Sequence, residues 1–278
     1  MNLENRWVHD FGKFKMVLDK TDVDISQQIK VHGWYEDEKF ESEIFSKHLR
    51  SGMSVLDLGA NIGFYTMLAR SIVGPQGRVV AFEPFPDNAE LIRESKKENC
   101  FDNIIVIEAA VSDTKKRTLL HLSPDACSEH SLLNLNFHDN VNSQILKDIQ
   151  VNTLTVDGFF EEFFNDYRVD FIKMDIEGYE SNALIGMKRV LEENDNISIM
   201  TEFWPNGFSI GGNSPTEFLE TLMSLGFTIF HIDNQQKEVY PVGINKMMEI
   251  VDFQNNHLPE NNKVMQRWGW YTNLLCKK

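Results

Sequence analysis

The chain has 278 residues, 42% hydrophobic and 25% charged, the balance of a soluble globular protein long enough to bury a core without disulfides or a structural metal. Its formal charge of −15 is spread along the whole length, which repels phosphate backbones and disfavours nucleic acid as a bulk partner, a local basic groove aside. Three widely spaced cysteines, Cys100, Cys127 and Cys276, with no CxxC, argue against a zinc cage or a disulfide framework and for reduced thiols.

The start of the chain, Met1 to Trp7, lacks the apolar stretch of a signal peptide, and no apolar run reaches membrane-spanning length. A cytoplasmic location with no membrane span is the expectation. Lys96-Lys97 and Lys115-Lys116-Arg117 are too short to form a basic groove and read as solvated turns. Residues 11–35 alternate loosely and carry aromatics, which predicts a β-hairpin or an irregular cap. Phe40, Ile44, Phe45 and Leu49 recur at helical spacing and predict an amphipathic helix over 38–50, closed by Gly52.

A regular alternation follows. Strands are expected at Met53–Leu58, Arg78–Phe82, Ile104–Glu108, Phe171–Met174, Ile197–Glu202, Thr228–Ile232 and Tyr271–Cys276. Helices are expected at Gly63–Val73, Asp87–Asn99, Tyr179–Glu192 and Pro215–Leu225. Strands alternating with helices imply parallel βαβ units, and unbroken apolar strands imply a sheet covered on both faces. The stretch 109–167 interrupts the rhythm with two expected strands, Thr118–Leu122 and Gln150–Thr155, and a segment rich in His, Ser and Asn. The polar stretch Gln254–Lys263 reads as an exposed loop. The expected organisation is one globular unit: a hairpin and helix cap over 1–50, and a main domain over 51–278 with an insert at 114–150.

The turn after the first parallel strand reads Val55-Leu56-Asp57-Leu58-Gly59-Ala60-Asn61-Ile62-Gly63. Glycines there let a ligand approach the backbone at the carboxyl ends of the strands. The dinucleotide fingerprint GxGxxG would need glycine at 59, 61 and 64, but the chain has Gly59, Asn61 and Phe64, which disfavours NAD and flavin dinucleotides. The Walker GxxxxGK[ST] pattern is absent too. Glu83, at the end of the second parallel strand and followed by Pro84, is placed to accept the hydroxyls of an adenosine ribose. Ala110 and Val111 are small enough to flank an adenine, and Asp113 is placed to orient its amino group; a capping aspartate is the plainer alternative. Asp175 and Glu177 (Lys173-Met174-Asp175-Ile176-Glu177-Gly178) and Glu202 (Thr201-Glu202-Phe203-Trp204) end neighbouring strands. Their mutual repulsion is offset if they bind a sulfonium, take a proton from an acceptor or hold a hard cation; plain helix capping is the alternative.

With these pieces placed, the chain resembles the FkbM family of S-adenosylmethionine-dependent methyltransferases. The residues that carry the resemblance are DLGANIGFYT (57–66), AFEPFPDN (81–88), EAAVSD (108–113), VDFIKMDIEGYE (169–180) and TEFWPNGF (201–208). It runs from about Gly33 to the C-terminus and is weaker over 114–150 and after 235. Met174 stands where a β-branched residue is more usual, and Tyr179 where alanine is frequent. The resemblance implies a Rossmann-like class I α/β fold: a seven-stranded, mostly parallel sheet with the last strand antiparallel and helices on both faces. It also implies O-methylation of a sugar hydroxyl or a carboxyl on a glycan or small natural product.

On this reading Gly59, Asn61 and Gly63 shape the floor under the methionine part of the cofactor. Asp57 and Asp175 hold its charged end, and Glu83, Pro84, Ala110, Val111 and Asp113 hold its adenosine. The candidate bases are Asp175, Glu177, Glu202, His130 and His231, although a lone histidine is more often structural. Asp175, Glu177 and Glu202 have the oxygen donors that Mg²⁺ accepts, but nothing stronger signals a metal, so a metal-free site is favoured. The expected partners are a small-molecule or glycan acceptor and no nucleic acid; a homo-oligomer is compatible with the sequence. The rivals are a protein or RNA methyltransferase, disfavoured by the charge and by the absence of an NPPY-type tetrapeptide where DIEG stands, and a nucleotide-binding protein that has lost catalysis.

Overall fold

A computed structural model describes residues 5–123, 130–135, 148–164, 166–260 and 263–278. Cys127 lies outside them. Cys100 is exposed and Cys276 buried, and neither is in a disulfide.

The chain opens with a hairpin, β1 (Arg6–Asp10) and β2 (Lys15–Asp19), paired antiparallel. This is the hairpin that the loose alternation suggested, begun earlier than residue 11. A helix, α1 (Ile25–His32), follows where no helical period was legible, because it buries only Ile25 and Ile29 among its apolar residues. The expected amphipathic helix is α2 (Lys39–His48).

The central alternation runs β3 (Ser54–Leu58), α3 (Phe64–Val73), β4 (Arg78–Phe82), α4 (Pro86–Glu98) and β5 (Ile104–Ile107), close to the sequence expectation. The insert adds β6 (Ala110–Val111), β7 (Arg117–Leu120) and β8 (Ile149–Leu154), which form a small sheet in the order β6-β8-β7. A short helix, α5 (Val156–Phe163), capped by the Thr155 hydroxyl, follows. Next come β9 (Phe171–Met174), α6 (Glu180–Gly186), α7 (Lys188–Glu193), β10 (Ser198–Phe203), α8 (Pro205–Ile210) and α9 (Pro215–Ser224). The helix expected over Tyr179–Glu192 is broken at Met187. The chain ends with β11 (Thr228–Asp233), β12 (Glu238–Pro241), α10 (Ile244–Asn255), α11 (Lys263–Trp268) and β13 (Thr272–Lys277).

The main sheet has the order β12-β11-β13-β10-β9-β3-β4-β5. β3, β4, β5, β9 and β10 are parallel to one another, and β13 is inserted antiparallel between β10 and β11. This is the Rossmann-like α/β arrangement with an antiparallel last strand. It differs from the expectation in strand number: β12 pairs with β11 and makes the sheet eight-stranded. Glu238–Pro241 is only four residues long and half exposed, with Val239 and Tyr240 between Glu238 and Pro241, too short a run to read as a strand.

Strand alternation divides the core in two. Leu56, Val80, Ile172 and Leu274 point into one core, with α5, α6, α7 and α9. Val55, Val79, Phe171, Met200 and Leu275 point into the other, with the hairpin, α1, α2, α3 and α4. Burial on both faces is why the strands read as continuous apolar runs. Phe64, at the start of α3, meets Trp34 at 5.3 Å, Tyr35 at 5.7 Å and Phe11 at 5.9 Å. These edge-to-face contacts bind the N-terminal cap to the first parallel unit. At the carboxyl ends of the strands Leu58, Phe82, Met174 and Phe203 still belong to the first core, whereas the rows that face the cap end in polar residues.

Candidate active site

Those polar residues are where alternation puts them. Asp57 follows Leu56, Lys173 follows Ile172, and Glu202 follows Thr201, so all three continue rows that face the cap. Glu41 of α2 and Glu38, in the turn just before it, reach the same place over the strand ends. The result is a cavity of about 570 Å³ lined by both sets of residues. A smaller hollow of about 50 Å³ adjoins it, and the two share Gly59, Asn61, Asp175 and Glu177.

Glu83, only 5% exposed, forms one wall of the smaller hollow. Its two oxygens accept the backbone N–H groups of Phe85 and Asn61, each at 2.8 Å. Burial nevertheless pushes its carboxyl up to about 8, against those two hydrogen bonds. Each oxygen retains a lone pair, so the group can still receive hydroxyl donors. Pro84, Ala110, Val111 and His130 line the same hollow. Its carboxylates, Glu83 on the wall and Asp175 and Glu177 where it meets the larger cavity, are acceptors for hydroxyl donors. Asp113 lines neither cavity; it accepts hydrogen bonds from the hydroxyls of Ser112 and Thr114.

Gly59 and Gly63 act on the backbone. Gly59 has φ +79°, and a Cβ there would meet the carbonyl oxygen of Asp175 at 1.9 Å. The glycine therefore lets the turn after β3 press against the end of β9. Gly63 caps α3 at φ +92° and lets Ile92 of α4 approach; it lines neither cavity.

The larger cavity has a charged centre. Lys173, 2% exposed, donates to Asp175 Oδ2 at 2.7 Å and lies 4.9 Å from the Tyr65 ring. Burial works against its charge, but Asp175, Glu38 and Asp57 outweigh that and hold the ammonium above its usual range. Asp57 accepts from the Thr66 hydroxyl, and burial raises its carboxyl to about 6. Glu38 accepts from the Tyr65 hydroxyl at 2.8 Å and is raised to about 7, first by burial.

Asp175, Glu177 and Glu202 each offer an oxygen, all within 4.8 Å of one another. Burial, and then the charges of Glu177 and Asp175, push Glu202 well above the ordinary carboxylate range. Glu177 adopts φ +54°, and Ser131 fixes its backbone by donating to its carbonyl at 2.8 Å. The described part of the insert thus lies on the DIEG turn: Leu132 lines the smaller hollow and Leu135 the larger.

The two histidines are placed differently from the carboxylates. His231 lines the larger cavity, but its Nδ1 meets the Tyr240 hydroxyl at 2.8 Å and its Nε2 the Thr272 hydroxyl at 3.1 Å. Both nitrogens are engaged, and burial lowers its proton affinity. His130 stands in the smaller hollow, accepts the Ser123 N–H at 3.1 Å on Nδ1, and is lowered to about 4 by burial.

Sequence reasoning missed Lys173, Glu38 and the aromatic wall. A lysine inside Phe-Ile-Lys-Met was a readable anomaly for a buried strand. Glu38 and Glu41 gave no signal, because the polar side of an amphipathic helix is ordinarily solvated. Trp204 donates to the Trp268 carbonyl at 2.8 Å and, with Trp270 and Tyr271, lines the larger cavity.

The profile of the methyltransferase FkbM domain matches residues 57–229, more than half of the chain. The ribosomal RNA large subunit methyltransferase E of Nitratidesulfovibrio vulgaris is 38% identical over 84 residues, covering 26% of this chain and 41% of that protein. A protein-L-isoaspartate O-methyltransferase of Ignicoccus hospitalis is 36% identical over 59 residues, covering 21% of this chain and 28% of its own. The chain thus spans less than half the length of these curated relatives. Among solved structures, the methyltransferase FkbM of Methylobacillus flagellatus KT aligns with 84% of this chain and 48% of its own, at 16% identity and a TM-score of 0.46. A SAM-dependent O-methyltransferase of Thermotoga maritima aligns with 95% of this chain and 73% of its own, at 11% identity and a TM-score of 0.43.

Proposed function

This chain belongs to the FkbM family of S-adenosylmethionine-dependent methyltransferases, and on that premise we propose that it methylates a hydroxyl oxygen of a sugar on a glycan or small natural product. The observation that carries this reading is the composition of the larger cavity: carboxylates on the strand ends and on α2, opposed by tryptophan and tyrosine rings. Carboxylates accept hydrogen bonds from hydroxyls, and aromatic faces cover the apolar side of a sugar ring. An anionic acceptor, whether a carboxylate or an RNA phosphate, would meet repulsion there.

The smaller hollow is the adenosine site in this account. Glu83 binds the ribose hydroxyls, Pro84, Ala110 and Val111 flank the adenine, and Asp175 with Asp57 faces the methionine ammonium. Asp113, which lines neither cavity and accepts from Ser112 and Thr114, is left out of this account. When bound, S-adenosylmethionine supplies an electrophilic methyl group that an oxygen displaces from sulfur in line. The chain must align the acceptor, keep water out and take one proton.

Asp175, Glu177 and Glu202 surround the junction of the two cavities, and one of them receives the hydroxyl proton. His231 is a bracket between β11, β12 and β13, and His130 belongs to the adenosine end. Lys173 orients Asp175 and offsets the negative charge of the cluster.

The test is transfer of labelled methyl groups from S-adenosylmethionine to a panel of neutral sugars, sugar acids, total RNA and a protein lysate. Label in neutral sugars, alkali-stable as an ether, supports the proposal. Label confined to RNA or protein contradicts it.

A further inference from the structure

We propose that the carboxyl ends of β9 and β10, with the amino end of the antiparallel β13, form a binding site for one divalent hard cation of the Mg²⁺ or Ca²⁺ class, held by Asp175, Glu177, Glu202 and Asn273.

Three carboxylate oxygens from separate side chains converge within 4.8 Å. Oxygen ligands lie roughly 2.1–2.6 Å from such ions, so two on opposite sides are roughly 4.2–5.2 Å apart. One ion can span the observed spacing. An acidic cluster alone would not suffice, because protons can relieve it.

The second observation is Asn273. It is 7% exposed, and its Oδ1 is buried with no hydrogen-bond partner among the described residues. It stands on β13 directly opposite Glu202 on β10 and lines the same cavity. Alternation along β13 puts it on the face of Leu275, the face toward the cap, as alternation along β10 puts Glu202 on the face of Met200. Oε2 of Glu202 is likewise buried without a hydrogen-bond partner among the described residues. A neutral amide oxygen beside carboxylates is ordinary cation chemistry. A bound cation would satisfy the buried amide oxygen and the buried Glu202 oxygen together, removing the cost of leaving both unpaired.

The charge balance points the same way. Lys173 already donates to Asp175 Oδ2, while Glu38, Glu41 and Asp57 line the same cavity. One lysine cannot match them. S-adenosylmethionine itself, with two positive groups and one carboxylate, adds a single net charge. A divalent ion at this rim keeps coordination positions open for oxygens of the acceptor, and vicinal hydroxyls fit that geometry. This last step rests on the sugar reading; the cation site itself does not.

The test uses the purified full chain stripped of metals, titrated with Tb³⁺ while exciting tryptophan and, separately, with Mg²⁺ and Ca²⁺ by calorimetry. Trp204, Trp268 and Trp270 line the cavity, so Tb³⁺ there is sensitised. The expected result is one saturable site, from which Ca²⁺ or Mg²⁺ displaces Tb³⁺, weakened about tenfold or more by Glu202→Gln and by Asn273→Leu. Circular dichroism and an S-adenosylmethionine titration of each variant report folding. No saturable binding at millimolar Mg²⁺ or Ca²⁺ overturns the proposal, as does binding indifferent to both substitutions in folded protein. If wild type binds the cation but no S-adenosylmethionine, the cation site stands and the cofactor assignment falls.

Discussion

The carboxylate of Glu83, at the end of β4, accepts the backbone N–H of Asn61, in the turn after β3, at 2.8 Å. A second backbone donor, Phe85, is held by the other oxygen. One side chain therefore fixes the turn and the strand end that together wall the smaller hollow. Glu83→Ala leaves two backbone donors unsatisfied, and each buried orphan costs about 1–3 kcal/mol. Urea denaturation of the cofactor-free protein is expected to show a loss of about 2–6 kcal/mol for the two together. A loss near zero would mean that the contact does not organise the turn.

The buried acids make stability depend on pH with a definite sign. Asp57, Glu38, Glu180 and Glu83 are raised, first by burial, to about 6, about 7, about 7 and about 8. In the unfolded chain such groups ionise near pH ~4. Between roughly pH 4 and 8 the folded state therefore holds more protons than the unfolded state, and stability falls as pH rises through that window. Denaturation midpoints of the cofactor-free protein should decrease from about pH 6 to about pH 8.5. Midpoints that rise across this interval would place these acids in ionised, well-solvated environments.

Gly59→Ala and Gly12→Ala form a contrast pair. Both glycines have a positive φ, but a Cβ at Gly12 meets nothing within 4 Å, whereas one at Gly59 meets the Asp175 carbonyl. Gly12→Ala should cost only the conformational penalty, about 1 kcal/mol. Gly59→Ala should cost more, about 2–4 kcal/mol, and weaken S-adenosylmethionine binding as the turn is pushed off β9. Thermal melts and calorimetry distinguish the two. Equal effects would sink the close-packing explanation.

His231 and Asp175 should separate stability from chemistry. His231→Gln removes a ring held between Tyr240 and Thr272, so the melting temperature should fall while kcat changes little. Asp175→Asn should lower kcat by about 10²-fold or more with a smaller change in melting temperature. A large kcat loss in His231→Gln with intact folding would make the histidine the base after all.

Much of the fold was legible because the parallel strands are buried on both faces. Arg78–Phe82 and Phe171–Met174 have the bounds expected from their apolar runs. β12 and α1 were not legible, since Glu238–Pro241 is half exposed and Ile25–His32 buries few apolar residues. The motif residues Gly59, Asn61, Glu83, Asp175 and Glu177 converge because each ends a strand or begins the next turn. Glu38, Glu41 and Asn273 were invisible for the opposite reason. Each reaches the site through long-range pairing, Glu38 with Tyr65 and Asn273 beside Glu202, and no local pattern encodes such pairing. The candidate bases His130 and His231 were named from residue type and, for His130, its place in the insert; both ring nitrogens of His231 are engaged by hydroxyls, and Nδ1 of His130 accepts from Ser123.

The central claim is that the paired cavities are an S-adenosylmethionine site with Glu83 at the ribose. Calorimetric titration of the purified chain with S-adenosylmethionine, repeated on Glu83→Ala and set beside NAD⁺, tests it most directly. The account predicts saturable binding of S-adenosylmethionine at one site, no binding of NAD⁺, and an affinity at least about tenfold weaker in folded Glu83→Ala. Unchanged affinity in the variant, or binding of NAD⁺ in place of S-adenosylmethionine, would contradict it.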